Sequence, residues 1–574
     1  MNETVLFWLL FFIVNSFYFI PRFVLDFSRT QWIPVGGLLH GRLDKRLRHL
    51  LIRVNYDICR ISTDFLILTA LYIFLLRDTV SVFAYTIGLS AYFGLSLLYQ
   101  VYHTTFDKLY HLEPVLFNDA LMLKTAIQIF VHEYDLKNFF ITLTAFVAGC
   151  VSVTLIYLML QMGSVASFGT GSVIFLGVLM ALGLFSIAHY SYKKYPRLTF
   201  QSQLQSFVRN VRLTHEVKDD IDNLNVVRMK KYNVDPTVSL SKKPNVHLLV
   251  VESYGRVIMD HPDLSGAYHA TIAASDKLLS DNGWHACSQL SVSPVTGGAS
   301  WISYTTVMFG VNVKNQGVFR TMIKNKRIPE YDSMFHWLKR QGYTTFRVSS
   351  LGGYEKMEIP YDEYSRLYGI DHWIKYKDLD YVGRQYGFGP SPPDQYALNR
   401  AMEMIRQNQS DPYAMFFISQ NSHTPYDTPE MIAADWRTLR GPAFETDGRS
   451  LFWSKPKFEN YGKAIDYQVS YIVDHIVKYG SENDLFIVVG DHQPASLSVP
   501  IDSFETPVHI ISKNEDFIRA VSAHGYNSGL TISGTDDPLR HEALYWTFLR
   551  SMIQCFSPQD KLLPEFLSSG IPYS

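Results

Sequence analysis

Hydrophobic and polar positions divide the chain near residue 190. Before that point, long apolar runs follow one another closely: Thr4–Val24 (TVLFWLLFFIVNSFYFIPRFV), residues 58–76 (ICRISTDFLILTALYIFLL, carrying Asp64), Thr79–Tyr99, Phe139–Met162 and Gly171–His189. Crossing a bilayer takes roughly 20 mostly apolar residues in a helix. The pattern therefore predicts an α-helical transmembrane domain of about five spans over residues 1–192. No small-residue cleavage site follows the first run, so it reads as an anchor rather than a removable signal.

The polar segments between the runs carry their own pattern. GRLDKRLRHLLIRV (41–54) sets Leu43, Leu47, Leu50, Leu51 and Val54 on one helical face. Arg42, Lys45, Arg46, Arg48 and Arg53 fill much of the remainder. This is a basic amphipathic helix, either one that lies among anionic headgroups or a cytoplasmic topology signal. Residues 193–241 are polar with a helical rhythm, as expected of a juxtamembrane linker lying along the membrane.

From 242 to 574 the rhythm changes. Short apolar runs (VHLLVV 246–251, TTFRV 344–348, YAMFFIS 413–419, LFIVV 485–489, VHIIS 508–512) alternate with helical patterns such as YGKAIDYQVSYIVDHIVKYG. Such alternation predicts an α/β domain with a doubly wound, mostly parallel sheet. Ligands in such folds sit beyond the carboxyl ends of the strands. Polar residues stand at several of those ends: Glu252 after the first run, His423 after the third, Asp491 and His492 after the fourth. Carboxylates and imidazoles gathered at one sheet edge suit a divalent cation.

Bulk properties narrow the reading. A net charge of -1 and a pI near 7.0 give no footprint for nucleic acid. The four cysteines, Cys59, Cys150, Cys287 and Cys555, form no CxxC pair. Cys287 and Cys555 could pair if their domain lies in an oxidising compartment.

Together, VHLLVVESYG around Glu252, IVVGDHQP around Asp491-His492 and SHTPY around His423 resemble the alkaline phosphatase and sulfatase superfamily. The chain is most similar to its membrane-anchored, lipoteichoic acid synthase-like branch of phosphoglycerol transferases. VYHTTFDKLYHLEPVLFNDAL (101–121) resembles the loop after the third span of that branch, and TPVHIIS followed by HEALYWTFL its late strand and helix. The resemblance implies a sulfatase-like catalytic domain over 242–574. It implies one divalent metal (Mn, Zn, Mg or Ca) held by Glu252, Asp491, His492 and a hydroxyl nucleophile. It places that hydroxyl in the uncharged run SPVTGGASWISYTTVMFG (293–310), at Ser300, ten residues before Gly310, with Thr296 as the rival. His423 would orient the phosphoryl group or serve as general acid and base.

The implied activity is transfer of a phosphoglycerol or related phospho-alcohol group from a phospholipid to a glycan or glycolipid, through a covalent phospho-enzyme. Phosphoethanolamine transfer, phosphodiester hydrolysis or an inactive lipid-sensing regulator are the alternatives. Two departures matter. The sulfatase run Cys/Ser-x-Pro-x-Arg is absent at Ser300-Trp-Ile-Ser-Tyr, which disfavours sulfate esters. The Trp-Asn-Arg substrate run is replaced by RVSSLGGYEKMEIPYDEY, where Arg347, Tyr354 and Lys356 are candidate phosphate contacts. His509 and His541 are the only loose candidates for a second metal. The branch carries its catalytic domain outside the cytoplasmic membrane, whereas the positive-inside rule applied to 41–54 and five spans puts it in the cytoplasm.

Overall fold

The computed structural model describes residues 2–25, 58–110, 113–120, 136–189 and 198–572, apart from 353–359, 388, 409–411, 442–457, 495–496, 499–502, 533–536 and 559–562. The predicted helix at 41–54 lies outside the described residues. The chain forms two compact units, one ending at Glu216 and the other beginning in the main at Val217.

The first unit is helical. Four of its helices, Glu3–Leu25, Val82–Tyr110, Leu136–Val165 and Thr170–His189, contain spans long and apolar enough to cross a membrane. The second predicted span is shorter than expected, covering Thr63–Leu76 with its last turn widened to a π-helix. The polar residues in that run explain the shortening. Ile61-Ser62 leave the helix to pair in parallel with Phe200-Gln201. Asn15 of the first helix accepts from Ser62 N (2.8 Å), and Arg60 Nη1 donates to Leu198 O (3.0 Å). Asp64 accepts from Tyr92 OH (2.7 Å), Ser202 Oγ (2.6 Å) and Leu204 N (3.0 Å), so it caps the next helix, Gln203–Asn223. From there the short helix runs to Ile73, which packs on Gly163, and Phe74, 5.9 Å from the Phe168 ring.

Helix Gln203–Asn223 is inside out over its first half. Leu204, Phe207, Val208 and Val211 are exposed, at 45–61% of their full area, on one face. Ser206 and Asn210 are buried, and Asn210 Nδ2 donates to Pro114 O (2.9 Å).

The second unit is built on a nine-stranded mixed sheet. Its strands are β1 (Asn245–Val251), β2 (His285–Val292), β3 (Thr344–Ser349), β4 (His372–Lys375), β5 (Tyr413–Ile418), β6 (Asp484–Gly490) and β7 (Glu505–Ser512), with two-residue strands β8 (Asn527–Ser528) and β9 (Leu539–Arg540). The order is β8-β2-β7-β6-β1-β5-β3-β4, with β9 beside β2. Strands β6, β1, β5, β3 and β4 run parallel. The fifth apolar run differs from expectation: β7 is antiparallel to both β6 and β2. The link 491–504 contains no helix among its described residues, and without a crossover helix a neighbouring strand returns antiparallel.

Strand residues alternate between two apolar layers. Leu248 and Val250 of β1, with Ile487 and Val489 of β6, face one layer with helices Ser300–Phe309 and His541–Phe556. Leu249 and Val251, with Phe486 and Val488, face the other, with helices Pro262–Asp281, Asp394–Asn408 and Phe458–Tyr479. A sheet buried on both faces needs continuous apolar strands, as the 246–251 and 485–489 runs are. None of the four cysteines is in a disulfide, so Cys287 and Cys555 do not pair. Cys287 lies buried in β2, while Cys555 Sγ on the last helix faces Asp516 O at 3.7 Å.

Candidate active site

Two parallel strands in register create the site. Val251 of β1 pairs with Gly490 of β6, so the next residues, Glu252 and Asp491, emerge side by side at the carboxyl edge. Close approach of the chains requires glycine at 490, where a Cβ would lie 1.9 Å from Tyr254 O. Glu252, Asp491 and His492 are buried, and one ligand atom from each lies within 4.8 Å of the others.

The fourth group arrives on a helix. Gly298 and Ala299 adopt φ of 63° and 57°, a left-handed turn that is strained for alanine. That turn starts the ten-residue helix Ser300–Phe309 with Ser300 at its N-terminus. Ser300 Oγ donates to Glu252 Oε2 (3.0 Å) and stands 3.2 Å from His492 Nε2. Thr296 is buried in the preceding turn.

Surrounding polar groups orient these side chains. His492 Nδ1 lies 2.8 Å from Gln493 O, and a carbonyl only accepts, so Nδ1 carries the proton. Nε2 then points its lone pair at the cluster, 3.4 Å from Glu252 Oε1 and 3.3 Å from Asp491 Oδ2. Asp491 Oδ1 accepts from Ser253 N (2.8 Å) and His492 N (2.7 Å), whereas its buried Oδ2 accepts no hydrogen bond. Burial pushes Asp491 well above the usual carboxylate range, and the Glu252 charge adds to this. Burial also pushes Glu252 up, but the His492 and His423 imidazoles and hydrogen bonds from Asp491 and Ser300 leave it below the usual range. The His492 imidazole is lowered, mainly by burial.

Two carboxylates and an imidazole lone pair converging at this distance repel one another unless a proton or a cation is held between them. Bonds of about 2 Å to such a cation leave neighbouring ligand atoms about 3 Å apart. The orphaned Asp491 oxygen, the His492 tautomer and the spacing therefore fit a divalent metal held by Glu252, Asp491, His492 and Ser300.

His423 lies in the loop after β5, where its Nδ1 donates to Thr424 O (3.0 Å), and its charge reaches both Glu252 and His492. Arg347 sits elsewhere than expected. Its guanidinium is buried in the core beside the rings of Tyr304, Tyr364, Tyr368, Trp373 and Phe416, each within 5.7 Å, and Nη2 reaches Tyr304 OH at 3.4 Å. An arginine enclosed by five rings is a cation–π element of the core, not an open phosphate contact. Tyr354 and Lys356 lie outside the described residues. His509 hydrogen-bonds Tyr254 and Ser288, and His541 hydrogen-bonds Ser291, so neither joins the cluster. Unforeseen from sequence are the serines that fix Glu252: Ser419 Oγ accepts from its N–H (3.0 Å), Ser422 Oγ donates to its carbonyl (2.6 Å) and Ser253 Oγ donates to Oε1 (3.0 Å).

The protein-family model described as Sulfatase matches residues 244–531, half of the 574-residue chain. The chain belongs to the sulfatase family. Solved structures to which the chain is similar include the integral membrane lipooligosaccharide phosphoethanolamine transferase A (EptA) of Neisseria meningitidis. That match has 11% identity and a TM-score of 0.43, covering 86% of this chain and 93% of that one. The lipoteichoic acid synthase LtaP of Listeria monocytogenes matches at 14% identity and a TM-score of 0.34, over 59% and 80%. The C-terminal periplasmic domain of EcEptC from Escherichia coli, in complex with Zn, matches at 15% and 0.35, over 54% and 84%. No curated protein sequence matches the chain.

Proposed function

We propose that this sulfatase-family protein is a membrane-bound, metal-dependent transferase. It would move a phosphoglycerol or related phospho-alcohol group from a phospholipid to a glycan or glycolipid acceptor. The observation that carries this reading is the Ser300 hydroxyl, placed at a helix N-terminus and bonded to Glu252 within the metal-fitting cluster. The membrane-spanning helices of the first unit suit a lipid donor.

A cation bound by Glu252, Asp491, His492 and Ser300 would lower the hydroxyl's pKa and draw in a phosphoryl oxygen. Ser300 Oγ attacks phosphorus, and the N–H groups opening its helix face the phosphoryl oxygens. The lipid alcohol departs with a proton from His423, leaving a phosphodiester on Ser300. The acceptor hydroxyl then displaces Ser300 while giving its proton to His423.

The full chain in detergent with Mn²⁺, incubated with headgroup-labelled phosphatidylglycerol, should acquire label on Ser300 and release diacylglycerol. Label taken only from phosphatidylethanolamine would reassign the headgroup. No adduct from either lipid, with metal bound, would sink the reading.

The catalytic domain is proposed to face the extracytoplasmic side. Segments 58–62 and 198–204 meet at one end of the helical bundle, so the charge rule for 41–54 and this placement still oppose each other. A periplasm-active reporter fused after Ser574 should be active, and activity of a cytoplasm-only reporter there would reverse the assignment. The inside-out first half of helix Gln203–Asn223 is proposed to rest on lipid, with Leu204, Phe207, Val208 and Val211 against acyl chains. A fluorophore at position 208 should be quenched by brominated lipid several-fold more than one at Lys277, exposed on helix Pro262–Asp281; equal quenching would refute it.

A further inference from the structure

Asp394 opens the helix Asp394–Asn408 and is wholly buried, yet among the described residues no lysine or arginine pairs with it. Its carboxylate gathers donors instead. Gln420 N lies 2.9 and 3.0 Å from its two oxygens, Asn421 N 2.7 Å from Oδ2, and Gln468 Nε2 2.7 Å from the same oxygen. Asn421 answers by accepting from Asp394 N (2.7 Å) and donating to Pro392 O (3.1 Å).

Residues 419–423 are the stretch that carries His423 and cradles Glu252 through Ser419 and Ser422. Its far end is pinned too: Tyr426 N donates to His423 O (2.8 Å), and Tyr426 is buried with φ 66°. A bulky residue in the left-handed region persists only where its surroundings over-determine it. Burial pushes Asp394 up to about 6, and the Glu252 charge pushes the same way. A buried acid near a second carboxylate is a costly way to fill space. An acceptor-only group is, however, what three converging N–H donors need, and an amide would turn a donor toward one of them.

We propose that Asp394 is a positioning residue, which locks residues 419–423 and so sets His423 against the Glu252–Asp491–His492 cluster. Nothing in the sequence pattern marked it. The role rests on the proposed phosphoryl chemistry, so its test carries an arm free of turnover.

In the full-length protein with Mn²⁺ and the chromogenic diester bis(p-nitrophenyl) phosphate, D394N and H423A should each lower kcat at least tenfold with KM within threefold. The double variant should be no worse than H423A within threefold, because two residues acting through one group are not additive. Multiplied losses, or a D394N enzyme within threefold of wild type, would overturn the proposal. The second arm measures carbethoxylation of His423 by diethyl pyrocarbonate, read by mass spectrometry against exposed His269. The His423 rate should change more than threefold in D394N while His269 stays constant, and an unchanged His423 rate refutes the proposal even if wild type turns over no diester. Should D394N fail to fold, Asn421→Ala unlocks the same stretch with the carboxylate in place and must give the same two results.

Discussion

Replacing Ser300 with alanine is expected to lower phosphodiester turnover by at least ~10³-fold, because it removes the atom to which the phosphoryl group would be joined. The same substitution should abolish the covalent adduct in a mass spectrum of lipid-treated protein. It should leave metal binding largely in place, since Glu252, Asp491 and His492 keep their three ligand atoms within 4.8 Å. Thr296→Ala should stay within a few-fold of wild type, because the hydroxyl bonded to Glu252 belongs to Ser300. The decisive measurement is peptide mapping of the adduct. Label on Thr296, or an adduct that survives in S300A, would show that the hydroxyl at the helix start is a ligand or cap rather than the nucleophile.

The residues that meet in this cluster were legible because of how parallel sheets work. An apolar run that stops at a polar residue marks a strand's carboxyl end, and all parallel strands present that end at one edge. Glu252 after VHLLVV and Asp491 after LFIVV thus fall together once the β1–β6 pairing is formed. The strand β2 was hidden for the opposite reason. Ser288, Gln289 and Ser291 look like loop residues, yet they are buried because His509, Gly525 O and His541, all more than 200 residues away, satisfy them. The shortened second helix was hidden by the same kind of distant bond, since Asp64 reads as a blemish in a span until Ser202 and Leu204 arrive to use it as a cap. Arg347 misled because it stands in the segment that replaces the family's substrate run, while five aromatic side chains from four elements close around it. Asp394 gave no signal, since its partners at 420, 421 and 468 are ordinary amides in sequence. Local patterns reveal edges and faces; which polar residues satisfy one another across the fold is settled only by packing.

Asp491→Asn should separate metal binding from stability. Asp491 Oδ1 is already occupied by Ser253 N and His492 N, so the amide oxygen of asparagine would take that place and its NH₂ the place of Oδ2. There it finds acceptors in Glu252, to which the raised Asp491 carboxyl already donates in the metal-free protein, and in His492 Nε2, 3.3 Å from Oδ2. The variant should therefore melt no lower than wild type when both are stripped of metal, although a buried acid has been removed. The same NH₂ occupies the direction from which a cation would be bound, so Mn²⁺ affinity should fall ~100-fold or more and turnover with it. Added at about 100 times its dissociation constant, Mn²⁺ should stabilise the wild-type catalytic domain by about 2.7 kcal/mol and the variant by next to nothing. Thermal melts of both proteins with and without metal read all of this at once. A variant that still gains as much from Mn²⁺ as wild type would mean that the orphaned oxygen of Asp491 faces no cation, and the transferase built on that cluster would lose its chemical basis.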